Sequence, residues 1–120
     1  MNVNFQHFSV GSLRRRLGDA ISPETIVQIY LEESPQLIEA LTQERFSPLS
    51  LESLGAAVHR IKGSLAMLCA ESTTDLAESV IRACREGHKA EAFARCDQLL
   101  SGLRSLRLEL ERYVEHAKAV

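Results

Sequence analysis

Apolar residues recur along this chain at steps of three and four, with no sustained alternation of the kind that marks strands. The clearest run is Leu51, Leu54, Val58, Ile61, Leu65 and Leu68, a continuous stripe down one side of a helix. A second run carries Leu76, Val80 and Ala83. A third carries Phe93, Cys96, Leu99 or Leu100, Leu103, Leu106, Leu110 and Tyr113 or Val114. Ser22-Pro23-Glu24 joins a cap, a proline at the first helical position and a carboxylate at the positive dipole end. It predicts a helix reaching about Arg45, kinked where Pro35 removes a backbone donor. Ser47-Pro48-Leu49-Ser50 breaks the pattern, and Ser50 can cap the helix that follows.

A turn near Glu71–Thr73 comes next, with Ser72 or Thr73 as the cap, and Gly87 is the following stop. The first twenty residues show the weakest periodicity, with one short helix around Gly11–Leu17. Four amphipathic helices on short connections predict an all-α, antiparallel up-down-up-down four-helix bundle over residues 21–120. Residues 1–20 form an N-terminal segment whose short extra helix would cover it.

Composition narrows the classes open to such a bundle. A chain of 120 residues fits one domain that hides roughly two thirds of its unfolded surface, enough for a core without disulfide staples. Fourteen Lys and Arg against sixteen Asp and Glu leave a net charge of −2, which gives no broad reason to expect nucleic acid. No apolar run could span a bilayer, and MNVNFQHFSV lacks a basic region followed by an apolar stretch. The expectation is a cytoplasmic chain without membrane contact. Cys69, Cys84 and Cys96 are odd in number and lie in apolar helical contexts, which predicts buried, reduced thiols. Cys84 and His88 make half a zinc site at most, with no second pair, so no metal site is expected. Arg14-Arg15-Arg16 reads as a solvated face, and His7 and His116 lie in terminal segments without evident chemistry.

The informative segment is Ala57-Val58-His59-Arg60-Ile61-Lys62-Gly63-Ser64. His59 follows the core residue Val58, so it is turned about 100° from the apolar stripe and should emerge at the bundle's edge. Gly55, Lys62, Gly63 and Ala66 share its face. Gly63 calls for an explanation, because a glycine inside a helix costs roughly 1 kcal/mol against alanine. Either a neighbouring helix or an incoming protein must approach there, and the polar company of His59 and Lys62 favours the incoming protein. An imidazole in water titrates near pH ~6.5, so a neutral, nucleophilic fraction exists around neutrality. Nearby positive charge is what phosphoryl transfer requires, and Lys62 can supply part of it. There is no glycine-rich phosphate loop and no magnesium-binding acidic motif, so no autokinase activity is expected of the chain.

The stretch AAVHRIKGSLAMLCA resembles the signature of histidine-containing phosphotransfer domains, His-x-x-Lys-Gly-Ser near the middle of the central helix. The likeness runs from about Ser22 to Tyr113 and includes LEESPQLIEAL before the motif and Arg85-Glu86-Gly87 after it. It implies a phosphoacceptor at the outer ring nitrogen of His59, with Lys62 neutralising the phosphoryl group. Gly63 would leave room for the partner, Ser64 would support the helix or the lysine, and Gly55, Arg60 and Ala66 would complete the contact face. The resemblance further implies a monomer that carries phosphoryl groups between response-regulator receiver domains, or from a hybrid sensor histidine kinase. The chain itself would bind no cofactor, Mg2+ being held by the receiver.

Two positions depart from the pattern: Leu65, where a small residue often follows the serine, and Cys69, in place of a common glycine. Both are expected to be absorbed as packing adjustments. Glu78 or Arg82 could orient the imidazole from the next helix. Two other functions compete: a phosphorylation-independent docking module, and the substrate domain of a larger sensor or chemotaxis kinase. The dimerisation domain of ordinary sensor kinases fits worse, because its acceptor histidine is usually followed by an acidic residue and Arg60 stands here.

Overall fold

The structure, a computed structural model, describes residues 7–118. Five helices follow one another: α1 (Val10–Leu17), α2 (Pro23–Phe46), α3 (Leu51–Met67), α4 (Glu71–Arg85) and α5 (Lys89–Lys118). Serine caps open the first three. Ser9 Oγ accepts the Ser12 amide, and Ser22 Oγ accepts the Thr25 amide. Ser50 and Ser53 exchange side-chain-to-backbone hydrogen bonds as a capping box. Pro35 lies within α2 without ending it.

Connections of a few residues join α2 to α5; α3 packs on α2, α4 on α3 and α5 on α4, and α5 closes on α2, as in a helical bundle. The described residues form an elongated bundle of 47 × 22 × 22 Å. Leu41, Leu54, Val58, Ile61, Leu65, Leu99, Leu103, Leu106 and Leu110 are fully buried along its axis. All four long helices contribute to this one core, since Val27 and Tyr30 of α2 and Ala77 and Val80 of α4 join it.

Residues 8–17 pack onto the bundle, while the first six residues of the N-terminal segment lie outside the described residues. Leu13 of α1 is fully buried, and the Phe8 ring meets Tyr113 edge-on at 5.3 Å between centroids. Arg16, exposed like Arg14 and Arg15, donates from Nη1 to the Ala66 carbonyl at 2.6 Å and so caps the end of α3. Tyr113 Oη also donates to Glu24 at 2.7 Å, tying the end of α5 to the start of α2.

Three expectations need correction. The α3–α4 turn falls at Leu68–Ala70, not at Glu71–Thr73, and α4 begins at Glu71 with Ala70 at the cap and no side-chain cap. The Thr73 and Thr74 hydroxyls donate backwards to the Ala70 carbonyl, the reverse of capping. The turn comes early because Cys69 adopts φ 57°, the left-handed region. A side chain there costs about 1 kcal/mol that glycine avoids, so this departure is backbone strain and not a packing adjustment. Of the three thiols only Cys96 is buried; Cys69 and Cys84 are half-buried. Burial pushes the Cys96 thiol up to about 11, and the same cause raises Cys84.

Candidate functional site

The periodicity that buries Val58 and Ile61 turns the next residue outward, and His59 stands exposed at mid-helix. Its ring has no hydrogen-bond partner among the described residues. It lines a groove of about 410 Å³ between α3 and α4, floored by Gly55 and Ala56 and walled by Ile81, Cys84 and Arg85. Leu51 and Glu52 close its far end. Among the described residues no group of three or more His, Cys, Asp or Glu side chains could hold a metal ion.

The two glycines on this face differ. A Cβ built on Gly63 would have no atom within 4 Å, and the position is exposed. No neighbouring helix explains it. A Cβ on Gly55 would meet Cys84 Cβ at 3.6 Å, ordinary van der Waals contact, so Gly55 lies against α4 while remaining part of the groove. Ala66 is exposed on the face of Gly63, and Arg60 is exposed next to His59. Ser64 is half-buried and turned towards α2, where with Met67 it borders a small cavity beside Ile29, Tyr30 and Glu33. Ile29 and Met67 leave 37% and 45% of their surface exposed, an apolar margin to the α3 face.

Lys62, one turn beyond His59, points across to α4 and forms an ion pair with Glu78. Lys62 holds the Glu78 carboxyl below the usual carboxylate range, and the Arg82 and Arg85 guanidinium groups add to the effect. Glu78, one of the two residues that could have oriented the imidazole, therefore meets the lysine instead. Arg82 is exposed and makes no hydrogen bond to His59.

The groove wall of Ile81, Cys84 and Arg85 escaped the sequence reading. Its signal is the spacing of Glu78, Ile81 or Arg82, and Arg85, which puts them on one α4 stripe. Which stripe faces α3 depends on helix rotation, and periodicity does not specify that. His88, the other half of the weak zinc pair, lies between Glu86 and Glu91 at 3.2 and 3.6 Å.

An all-helical bundle that exposes an imidazole beside a cation and a bare helix-interior glycine has the parts for group transfer between proteins. The family model of the Hpt domain matches residues 25–118, most of the chain, and the protein belongs to that family. Its members take part in histidine phosphotransfer within phosphorelays and interact with receiver domains of two-component systems. α1 lies before the matched region. No curated protein and no solved structure gives a significant match. Among the described residues no helix is long and apolar enough to cross a membrane.

Proposed function

We propose that this chain is a phosphorelay intermediate, in which His59 takes a phosphoryl group from a receiver-domain aspartate and passes it to a second receiver. The observation that carries the reading is the pairing of an exposed His59 with Gly63, one turn on, where an added Cβ would meet no neighbouring atom of the described residues within 4 Å. A helix-interior glycine costs roughly 1 kcal/mol, and here nothing inside the molecule offsets it. A visiting protein that must bring its own backbone close to this helix does.

In the transfer, the outer ring nitrogen of the neutral imidazole attacks phosphorus. The N–P bond forms as the bond between phosphorus and the aspartyl oxygen breaks, and that electron pair returns to the carboxylate. Charge on the three equatorial oxygens is met by Lys62 from this chain and by Mg2+ held in the receiver. Gly55, Arg60, Gly63, Ser64 and Ala66 form the contact face, with the apolar margin of Ile29 and Met67 at its side. A monomeric state, a cytoplasmic location and exchange with receivers or a hybrid sensor kinase belong to the same reading.

The test is to incubate the purified chain with a phosphorylated receiver and Mg2+ and to follow label transfer. His59→Gln should abolish transfer while leaving receiver binding intact. Transfer that survives the substitution removes His59 as the acceptor. Unchanged output of the variant in cells would favour a docking module that works without phosphorylation.

A further inference from the structure

We infer that Glu78 is a positioning residue for phosphoryl transfer, holding Lys62 against α4 while His59 is bare and yielding it once the phosphoryl group arrives. The inference rests on His59 being the acceptor and adds a regulatory element to that site. Lys62 lies three residues beyond His59 on the same face of α3, and its ammonium is engaged by Glu78. The lysine side chain is 28% exposed and the glutamate 47%, so neither end is locked by packing. A lysine is a compact charge on a flexible four-carbon stem with three donors, free to exchange one anion for another. Glu78 also feels Arg82 and Arg85, which makes it an acidic group set among cations beside the groove.

A phosphoryl group on His59 brings nearly two negative charges and three acceptor oxygens, more than a single carboxylate offers. Lys62 then has the stronger partner on its own helix, and Glu78 becomes both a competitor for the lysine and a like charge near the phosphate. The pair therefore lowers the affinity of His59 for the phosphoryl group and keeps it easy to pass on. A lysine free of Glu78 would hold the phosphate longer.

The experiment measures the equilibrium partition of phosphoryl between this chain and a receiver for wild type, Glu78→Gln, Lys62→Gln and the double variant. Far-UV circular dichroism confirms that each is folded. Glu78→Gln should shift the partition towards phosphohistidine by about two- to fivefold, the range of a partly exposed ion pair. Lys62→Gln should shift it towards the receiver. In the Lys62→Gln background the glutamate substitution should lose most of its effect, because the residue acts through the lysine. An equal shift in both backgrounds would overturn the positioning role, leaving only through-space repulsion, and so would the absence of any shift. A wild-type chain that takes no label on His59 would remove the acceptor reading as well. Labelled wild type with an unmoved Glu78→Gln partition would remove this inference alone.

Discussion

Gly63 on α3 and Gly102 on α5 are both helix-interior glycines, and each costs its helix roughly 1 kcal/mol against alanine. Gly102 is buried. A Cβ there would lie 3.3 Å from both Leu76 Cδ1 and Thr73 Cγ2, so the missing side chain is what lets α4 pack closely on α5. Gly63 has nothing above it within 4 Å. Packing within the fold accounts for one glycine and, among the described residues, not for the other.

Substitutions at the two glycines should therefore part company. The largest effect on transfer is expected from Gly63→Gln, whose Cβ would meet no neighbouring atom of the described residues within 4 Å. It should leave the bundle folded and no less stable to urea, helix propensity adding up to ~1 kcal/mol, while slowing transfer from a phosphorylated receiver by at least about tenfold, the equivalent of ~1.4 kcal/mol of obstructed docking. Equal transfer rates would break the comparison.

The largest effect on stability is expected from Gly102→Val, which should destabilise the bundle by about 2 kcal/mol through overpacking against Leu76 and Thr73. Gly63→Ala should stabilise it by about 0.5–1 kcal/mol through helix propensity. Urea melts of both variants decide the matter, and the same sign at both positions would contradict the account.

The smallest effect is expected where α2 meets α5, at Asp97. Arg45 donates to both of its carboxylate oxygens, at 2.7 and 2.9 Å, and holds its carboxyl below the usual range. A carboxyl depressed in the folded state stabilises above its unfolded pKa of ~3.9, and the gain disappears as pH falls through the lower folded value. With Asp97 half exposed, Asp97→Asn should cost no more than ~0.5 kcal/mol at pH 7. The difference from wild type should shrink in melts as pH falls below the unfolded value, and phosphoryl transfer should be unaffected at neutral pH.

The stripe of Leu54, Val58, Ile61 and Leu65 was legible because helical periodicity alone decides which side of α3 is buried, and with it the exposure of His59 and Gly63. The serine caps at Ser22 and Ser50 were legible for a similar reason, being local chemistry within one turn. The start of α4 was not, because it depends on Cys69 holding a left-handed backbone that its residue type disfavours. Contacts between helices were also beyond reach. Whether Glu78 meets His59 or Lys62, and whether Gly55 faces solvent or Cys84, turns on how α4 is rotated against α3. The Arg16 contact with the Ala66 carbonyl joins segments far apart in the chain, and nothing in a run of three arginines announces it.

If His59 is the acceptor, phosphate resides on one nitrogen of one exposed ring. Peptide mapping of the chain after reaction with a phosphorylated receiver and Mg2+, under conditions that spare acid-labile, base-stable phosphate, tests it most directly. The account predicts the modification on His59. Phosphate recovered on any other residue, or none recovered from a receiver that has lost its own to solvent, would contradict it.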